Sequence, residues 1–421
     1  MSASLETVTR ISADRLLRRI KQYAEIGRDR RGGVTRPGFG EADREARARL
    51  AAEVREDRLS ATVDAAGNLL IHRDDRSLSR DRPVLLLGSH FDTVVNGGAL
   101  DGAYGVLAAV EVLQTLTESG IRTAHEVVVV AFANEEGALF PQPFWGSMAL
   151  AGRLAALPSE PRDHAGNPLR EPLAMAGGDL SDLESAVWPV GSLAGYLEVH
   201  VEQGPVLEQT GHRIGVVDVI SGRTVLTVEF TGTAAHAGTT PFEYRRDPVP
   251  AAARAIAAAE HLSRVERRCR VATVGRVEVH PNSPNTIADS VRITVDLRDG
   301  EDHRLRQAEH ALLEAFEAIA AESGVQVALR SATRSRPVRT DPALCAAITR
   351  GADGLNLSTT TLPSGAGHDA QIIADIAPVG MFFVPSIGGT SHVPTEDTLP
   401  GDLVAGAEVL LRTVLDLEST D

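Results

Sequence analysis

The sequence predicts an α/β protein built on a parallel sheet, with a small α+β sandwich inserted as a separate domain. Two short apolar runs, VLLLGSH at 84–90 and VVVVAFAN at 127–134, have the composition of strands buried on both faces. Residues 104–116 between them have the apolar spacing of a helix, which makes a strand–helix–strand unit. Residues 213–334 instead contain four strand-like runs and two helical ones, which suits a compact α+β domain.

The other segments are assigned from the same two periodicities. Apolar residues recur at helical spacing in 11–26, 41–54, 250–265, 303–323 and 403–417. Strand-like runs of the inserted segment are IGVVDVIS, TVLTVEFTG, RVATVGRVEV and VRITVDLRD, and VGMFFVPS follows it. The predicted domains are therefore 1–212 together with 335–421, and 213–334. The Pro-, Gly-, Asp- and Ser-rich segment 157–190 is expected to be irregular surface.

Charge and cysteine content exclude several classes of protein. The chain has 42 Lys and Arg against 57 Asp and Glu, a formal net charge of −15, and no basic stripe stands out. Nucleic acid and membranes are therefore not expected as partners. Cys269 and Cys345 form no CxxC pair, which argues against a disulfide framework and a thiolate zinc site. Because no apolar run resembles a signal peptide or a membrane span, we expect a cytoplasmic protein.

The segment GSHFDTVVNGGALDGAYGV, residues 88–106, carries the first candidate site residues. His90 and Asp92 stand at the carboxyl end of a buried strand, where open α/β sheets form their ligand sites. Asp101 lies among glycines at the start of a helix. A lone His is more often structural than a ligand, but a metal-binding His usually has an orienting carboxylate beside it. The His-x-Asp spacing supplies that carboxylate.

Two adjacent carboxylates, Glu135 and Glu136, end the second buried strand. Paired Glu residues after a strand are usually only a solvated turn. After an entirely apolar run, however, they would repel each other unless a cation neutralises one of them. One can then bind a metal while the other handles the protons of a water molecule.

Two further histidines complete a possible metal-binding set. His200 lies in the strand-like run YLEVHVEQG, and His392 follows a Gly-Gly turn in GGTSHVPTE. Each alone could equally be structural. With His90, Asp101 and Glu136 they give three imidazoles and two carboxylates, which suit zinc, manganese, cobalt or nickel and do not suit iron–sulfur clusters or calcium. A carboxylate shared by two metals is typical of hydrolytic two-metal sites.

Six motifs, in this order, carry a resemblance to a known family. They are GSHFDTVVNGGALDGAYGV, NEEG, EVHVEQGPVLE, GTAAHAGTTP, SGAGHDA and GGTSHVPTE. The chain resembles the amidase/hydantoinase/carbamoylase branch of the zinc-dependent aminoacylase-like metallohydrolases, which includes N-carbamoyl-L-amino acid hydrolases, β-ureidopropionase and allantoate amidohydrolase. The resemblance runs from GGVTR at 32–36 to the last helix. It implies a di-metal exopeptidase-like catalytic domain with a mixed, mainly parallel sheet, and an inserted lid that also forms a homodimer.

The resemblance also implies roles for the catalytic residues. Glu135 would be the general base, and Asp92 would orient the first histidine. Two divalent ions, zinc or else manganese, cobalt or nickel, would be held by His90, Asp101, Glu136, His200 and His392. The carboxylate of Asp101 would bridge the two ions.

Five further residues match the family's substrate contacts. The partner subunit's lid would supply His236, as an oxyanion donor, and Asn285, while Arg298 would bind the substrate carboxylate through two N–H groups. Gln203 and His368 also lie in family motifs. The alternatives without a functional role are a surface charge for Arg298, a turn residue for Asn285 and a helix cap for the HDA sequence at His368.

The implied reaction is hydrolysis of the carbamoyl C–N bond of an N-carbamoyl-L-amino acid or related ureido acid, releasing amino acid, CO2 and ammonia. Allantoate amidohydrolase, and an amidase or peptidase acting on N-acyl amino acids, are the alternatives. A non-catalytic metal-binding module is disfavoured because the base and all five ligands are present. Nucleotide binding is disfavoured because no GxxxxGK[ST] motif occurs. One departure concerns the pocket: Leu139 stands where the family usually has Arg.

Overall fold

The computed structural model describes residues 9–73, 83–154 and 160–418, and the chain folds as two compact units. The first unit takes in the described residues of Met1–Asp218, Thr340–Ser364 and His368–Asp421, and the second takes in Val219–Arg339 and Gly365–Gly367. The second unit thus begins and ends a few residues later than the predicted inserted domain. No helix among the described residues is long and apolar enough to cross a membrane.

Six of the helices lie close to the segments where the apolar spacing predicts them. The helices are α1 (Ala13–Tyr23), α2 (Glu41–Glu56), α3 (Ala103–Glu118), α4 (Trp145–Leu150), α5 (Arg170–Met175), α6 (Val206–Thr210), α7 (Pro248–Arg264), α8 (Asp302–Glu322), α9 (Pro342–Asp353), α10 (Asp369–Ile373) and α11 (Pro400–Glu418). The first residues of α7 and α9 show why these helices begin where they do. The side chains of Asp247 and Asp341 accept hydrogen bonds from the first backbone N–H groups of α7 and α9, and a proline follows each of them.

The strands form one sheet in the first unit and another in the second, with a short pair beside the latter. They are β1 (Leu59–Val63), β2 (Leu69–Arg73), β3 (Val84–His90), β4 (Glu126–Phe132), β5 (Leu193–Val201), β6 (Ile214–Ile220), β7 (Gly222–Thr231), β8 (Ala235–His236), β9 (Val271–His280), β10 (Thr286–Ile287), β11 (Ser290–Asp299), β12 (Gln326–Ser335), β13 (Val338–Arg339), β14 (Thr359–Ser364) and β15 (Val379–Val384). The hairpin β1–β2 was not predicted.

The first unit is built around a mixed sheet in the order β1-β2-β4-β3-β5-β15-β6, with β14 also paired to β6. The four central strands run parallel, because β3 pairs in parallel with both β4 and β5, and β15 pairs in parallel with β5. Antiparallel strands flank them on both sides. This confirms the predicted mixed sheet. Strands β3 and β15 are buried along their whole length, as their near-continuous apolar sequences predict.

Helix α3 is the central helix of the first unit's core. All its residues from Ala103 to Leu116 are buried, including Glu111. That carboxylate accepts hydrogen bonds from Arg15 Nε at 2.7 Å and from the backbone N–H of Ser12 at 2.8 Å. The charge is therefore paired, and it ties the start of α1 to α3.

The prediction of irregular surface for residues 157–190 holds in part, because most of the described residues of this segment are exposed and lie outside helices and strands. Residues 155–159 lie outside the described residues, but the remainder contains α5 and a 3-10 helix at Leu183–Ala186. Leu173 and Trp188 are buried, and a separate apolar cluster brings Leu173 together with Phe39 and Trp145. The Pro- and Gly-rich composition therefore marks a mostly exposed segment whose few apolar side chains pack inward.

The second unit is an antiparallel sheet in the order β12-β7-β11-β9 with two helices. Along β7 and β11 the residues alternate between buried and half-buried, as expected for a sheet with one face on a core. The buried side chains include Phe230, Val295, Ala255 and Phe316, which join the sheet to α7 and α8 in one apolar cluster. This unit has the α+β composition that its sequence predicts.

Candidate metal centre

The parallel strands bring three site segments to one edge of the sheet. His90 is the last residue of β3, Glu135 and Glu136 follow β4 after two intervening residues, and His200 is the penultimate residue of β5. In the register of the sheet, His90 lies opposite Phe132, the last residue of β4. Carboxyl ends of parallel strands point the same way, so these side chains gather where ligand sites of such sheets form.

A glycine turn places Asp101 against the histidines. Asp101 precedes α3, and Gly102 has a φ of 62°. A Cβ at Gly102 would lie 2.4 Å from the His90 ring. Only glycine therefore allows the backbone to pass so close to the imidazole.

The Asp101 carboxylate is the centre of the site. Its Oδ1 lies 3.2 Å from His200 Nε2 and 3.6 Å from His90 Nε2. Its Oδ2 lies 3.1 Å from His392 Nε2, which is also 3.6 Å from Glu136 Oε1. Two groups of candidate ligand atoms, each within 4.8 Å, thus share Asp101 and use one of its oxygens each.

Backbone carbonyls orient two of the three imidazoles. His90 Nδ1 lies 3.0 Å from the carbonyl oxygen of Asp92, and His200 Nδ1 lies 2.8 Å from that of Val201. A carbonyl can only accept, so each Nδ1 carries the proton. Each Nε2 then faces Asp101 and is the nitrogen that a metal ion would take, and His200 Nε2 also lies 3.1 Å from the backbone N of Gly102.

Asp92 links the two strand ends, but not as the sequence predicts. Its Oδ1 is 3.8 Å from His90 Nδ1, which is beyond hydrogen-bond distance. The two carboxylate oxygens instead accept the backbone N–H groups of Glu135 at 3.0 Å and Glu136 at 3.1 Å. The carbonyl of Asp92 orients the histidine, and its side chain fixes the turn that presents the two glutamates.

Two buried arginines hold the ends of β3 and β4 from behind. Arg36 Nε donates to the carbonyl of Phe91 at 2.7 Å, and Arg47 donates to the carbonyls of Ala131, at 2.9 Å, and Phe132. Burial lowers the pKa of Arg36 to about 10, which still leaves it charged at neutral pH. The sequence analysis did not identify either residue.

Burial and close charges shift the pKa values of the site. Burial alone would raise the pKa of Asp101, but hydrogen bonds to His200, His392 and His90 outweigh it and hold the pKa well below its usual value. Burial raises the pKa of Glu136 to about 7, and the Asp101 charge adds to the effect. Burial also raises the pKa of Glu135 well above its usual value, with the charge of Glu136 contributing. The site concentrates negative charge that a cation would relieve.

The residues fit divalent metal ions. Glu136 Oε1 is buried and has no hydrogen-bond partner among the described residues. A buried carboxylate oxygen without a partner is costly, and a metal ion would satisfy it. The donor set of imidazole nitrogens and carboxylate oxygens is one that zinc, manganese, cobalt and nickel accept.

Gln203 lies in the site, where it contacts Asp101. Its backbone has a φ of 59°, and its Nε2 donates to Asp101 Oδ2 at 3.0 Å and to Ser391 Oγ at 3.2 Å. The side-chain oxygen is buried without a hydrogen-bond partner among the described residues. The amide therefore supports the central carboxylate and keeps one acceptor unused.

His368 packs behind the site. Its ring centroid is 4.8 Å from that of His200, and its Nε2 is 2.9 Å from Ser364 Oγ. Burial and the nearby His200 lower its pKa well below the usual value, so it is neutral. His368, Glu198 and His200 form a third group of possible ligand atoms. Neither His368 nor Asp369 caps α10 with its side chain, so the capping alternative was wrong.

His236 and Asn285 are neighbours in the second unit. Strand β8 pairs with β10 so that His236 lies opposite Thr286, and both His236 and Asn285 are exposed. His236 Nδ1 lies 3.0 Å from the backbone N of Gly238 and 3.2 Å from that of Thr239, which donate to it. Because Nδ1 accepts, the proton of the neutral ring lies on Nε2, which is then a hydrogen-bond donor.

Arg298 lies on β11 of the second unit and is already paired. Its Nε and Nη2 each lie 3.0 Å from an oxygen of Asp296, and its Nη1 donates to the carbonyl of Gly365 at 2.6 Å. The side chain is 30% exposed. It therefore has the fork geometry that binds a carboxylate, but here that fork holds Asp296.

Leu139 packs against the apolar cluster that contains Phe140 and Trp145. The turn before it is held by Asn134, whose Nδ2 donates to the carbonyls of Phe140 at 3.1 Å and Gln142 at 2.9 Å. The residue that departs from the family pattern thus contributes apolar packing directly after the two glutamates.

Comparison with known proteins gives consistent matches. The model of peptidase family M20/M25/M40 matches residues 86–416. An N-carbamoyl-L-amino acid amidohydrolase of Geobacillus stearothermophilus is 40% identical over 97% of this chain and 99% of its own length. An allantoate amidohydrolase of Escherichia coli strain K12 is 37% identical over 94% and 95%. The crystal structure of an amidase of the hydantoinase/carbamoylase family from Burkholderia multivorans has a TM-score of 0.89 at 35% identity, covering 98% of this chain and 100% of that one.

Proposed function

Because the chain belongs to the hydantoinase/carbamoylase amidases of peptidase family M20/M25/M40, we propose that it hydrolyses the carbamoyl C–N bond of N-carbamoyl-L-amino acids or related ureido acids. The products are the amino acid, CO2 and ammonia. The observation that carries the proposal is the pair of candidate ligand groups that share Asp101, directly beside Glu135. The similarity to an allantoate amidohydrolase makes allantoate the second candidate substrate. An N-acyl amino acid or peptide is the third.

Two divalent ions, zinc or else manganese, cobalt or nickel, are the proposed cofactors. One group offers His90, Asp101 and His200, and the other offers Asp101, Glu136 and His392. Such ions act as Lewis acids on the carbonyl of the scissile bond. The nearby carboxylates outweigh burial and raise the pKa values of His90, His200 and His392, so a metal ion would have to displace the Nε2 protons, whereas Asp101 is already ionised.

Glu135 is the proposed general base and acid. Its side chain is 9% exposed, and its Oε2 lies 3.8 Å from His90 Nε2, next to both ligand groups. Its backbone is fixed by the carboxylate of Asp92. The carboxylate takes a proton from the attacking water and delivers it to the leaving amine, a role that contributes about 10²–10⁴-fold to the rate in other enzymes.

The second unit is the proposed lid and dimerisation domain. Strand β9, Val271–His280, is an edge strand that pairs only with β11 among the described residues, and its residues are largely exposed. An unpaired edge of this length can extend a sheet across two subunits. His236 would donate its Nε2 proton to the oxyanion, and Asn285 would contact the substrate of the partner subunit.

Substrate binding is proposed for Arg298, Gln203 and His368. Arg298 would exchange Asp296 for the substrate carboxylate, and Gln203 has an unused acceptor for the ureido N–H groups. His368 would act through its contact with His200. We also propose a cytoplasmic location, which the two free cysteines support.

Ammonia release by the remetallated enzyme tests the proposal. Chelator-stripped protein is loaded with Zn, Mn, Co or Ni and assayed on N-carbamoyl-L- and D-amino acids, β-ureidopropionate, allantoate and N-acetyl amino acids. Metal-dependent release of ammonia from one ureido class supports the proposal and identifies the substrate. If protein that binds metal releases no ammonia from any ureido compound, the proposal is contradicted.

The variant Glu135→Gln tests the assigned base. We expect it to retain bound metal and to lose about 10²–10⁴-fold in kcat. Glu418→Gln is the matched control, because Glu418 is also a buried glutamate of the first unit, at 4% exposure, and lies at the end of α11. Normal turnover by Glu135→Gln would remove Glu135 as the base.

Mixing two inactive variants tests the shared site. Glu135→Gln and His236→Ala protein, inactive separately, should form heterodimers in which one site has both residues intact. Recovery of activity after mixing supports a contribution of His236 across the dimer, and no recovery in proven heterodimers contradicts it.

A further inference from the structure

A buried carboxylate outside both ligand groups contacts the Asp101 turn. Glu396 is 7% exposed and lies four residues after His392. Its Oε1 accepts the backbone N–H groups of Leu100 at 3.1 Å and Asp101 at 3.0 Å, and its Oε2 accepts the hydroxyl of Ser391 at 2.8 Å. Both oxygens of Glu396 are therefore used to join the Asp101 turn to the loop that carries His392.

The Asp101 turn is shaped to receive this carboxylate. A Cβ at Gly98 would lie 2.0 Å from Glu396 Oε1. Any other residue at position 98 would displace the carboxylate from the two N–H groups. One glycine of the VNGGALDG sequence is thus explained by the approach of Glu396.

The hydrogen bonds close into a ring that returns to Asp101. Gln203 Nε2 donates to both Ser391 Oγ, at 3.2 Å, and Asp101 Oδ2, at 3.0 Å. The amide nitrogen can only donate and the ionised carboxylate of Glu396 can only accept, so the hydroxyl of Ser391 accepts from Gln203 and donates to Glu396. Asp101 Oδ2 is the same oxygen that His392 Nε2 approaches at 3.1 Å.

His392 depends on such support because the loop that carries it has no regular secondary structure. Its φ of 59° is unfavourable for a residue with a side chain and costs about 1–2 kcal/mol. The side chain is 51% exposed, and residues 390–399 contain no helix or strand. Local structure alone therefore does not fix the position of the imidazole.

We propose that Glu396, acting through Ser391 and Gln203, is a positioning residue that sets His392 against Asp101 and thereby determines the cation affinity of the Asp101–Glu136–His392 group. The other group shares Asp101, but its His90 and His200 stand at strand ends and do not contact Glu396, Ser391 or Gln203 through the hydrogen bonds of this ring. The inference rests on the proposed function only in requiring that the full-length protein bind two metal ions.

Calorimetric titration of zinc into chelator-stripped, full-length protein tests the proposal without any substrate. We expect two binding steps for the unaltered chain. In Glu396→Gln the amide has a single acceptor oxygen, so either the backbone N–H groups or Ser391 must lose its acceptor. One step should weaken by about 10–100-fold while the other stays unchanged, since residues that support ligands have effects of this size.

Two controls separate positioning from a general loss of structure. Glu418→Gln removes a buried charge elsewhere in the first unit and should leave both steps unchanged. Ser391→Ala breaks the ring and should weaken the same single step, and Ser391→Thr, which keeps the hydroxyl, should restore it. The comparison of Ser391→Ala with Ser391→Thr tests the inference even if Glu396→Gln does not fold.

The outcomes are distinguishable. Two unchanged zinc steps in Glu396→Gln or in Ser391→Ala overturn the inference and leave the proposed function standing. Equal weakening of both steps also overturns it, because the effect would then act through Asp101, which both groups share, and not through His392. If the unaltered chain binds fewer than two ions, the proposed two-metal site itself fails, together with the inference.

Discussion

Arg47 and Asp43 form a buried ion pair one turn apart on α2, and breaking it should destabilise the first unit by several kcal/mol. Arg47 Nε lies 2.7 Å from Asp43 Oδ1, and the side chains are 7% and 1% exposed. Arg47 also donates to the carbonyls of Ala131 and Phe132 at the end of β4. The substitution Arg47→Met leaves a buried carboxylate and two carbonyls without this donor, which costs about 3–5 kcal/mol.

An exposed pair of the same spacing provides the comparison. Arg264 Nη1 lies 2.8 Å from Glu260 Oε1 one turn away on α7, and these side chains are 78% and 62% exposed. Water and salt screen such a pair, so Arg264→Met should change the free energy of unfolding by only a few tenths of a kcal/mol. The two variants thus remove the same side chain at the same spacing from its acidic partner, once in a buried pair with further carbonyl contacts and once in an exposed pair.

Urea unfolding followed by far-ultraviolet circular dichroism measures both variants. With a slope of about 3 kcal/mol per M urea, a loss of about 3–5 kcal/mol lowers the midpoint by about 1–1.7 M. Adding Asp43→Asn to Arg47→Met should recover part of the loss, because no charge then stays buried without a partner. An Arg47→Met midpoint that shifts no more than that of Arg264→Met would refute the reasoning.

Three further outcomes are expected. Gly102→Ala should lower metal content and turnover, because its Cβ would lie 2.4 Å from the His90 ring. Gly120→Ala is the control, since Gly120 has the same φ of 62° and nothing lies within 4 Å of the added Cβ. Equal metal content in the two variants would contradict this prediction. Metal removal by a chelator should abolish turnover and lower the thermal midpoint, and added Zn, Mn, Co or Ni should restore both; full activity of metal-free protein would argue against the site. Burial raises the pKa of Cys269 to about 11, whereas the thiol of an unfolded chain ionises near about 8.5. The free energy of unfolding should therefore fall as the pH rises from about 8.5 to 11. Cys269→Ala should lack this pH dependence.

The sequence predicted the strand ends and the clustering of the candidate metal ligands because the signals are local. His90, Glu135 and Glu136 stand at the ends of apolar runs long enough to identify buried strands, and parallel strands necessarily gather their carboxyl ends. Gly102 marks the turn that presents Asp101. The chemistry of the residue types then limits the ligands that the cluster can take.

The elements that the sequence analysis missed depend on contacts between distant residues. The hairpin β1–β2 has short strands of mixed polarity, and β2 is buried only because it pairs with β4. Composition placed Trp188 and Leu173 in a surface loop, yet both are buried, and Leu173 lies in a cluster with Phe39. Pro and Gly indicate where the backbone turns and do not indicate what the side chains between the turns bury.

The supporting residues of the site were missed for the same reason. Nothing near Glu396 in the sequence shows that its partners are the N–H groups of Leu100 and Asp101. Asp92 was assigned to the correct site, but with its carboxylate directed at the histidine instead of the Glu135 turn. Local motifs identify the ligands, whereas the residues that hold them are recognised only from the fold.

The order in which the ligands occur along the chain has a consequence for biosynthesis. His90 and Asp101 lie in the first third of the sequence, whereas His392 and Glu396 lie in the last tenth, beyond the second unit. A ribosome must therefore complete residues 219–339 and more before the last imidazole exists. The proposed cation site can close only around a nearly finished polypeptide, so chains shortened before His392 would lack one of its proposed ligands.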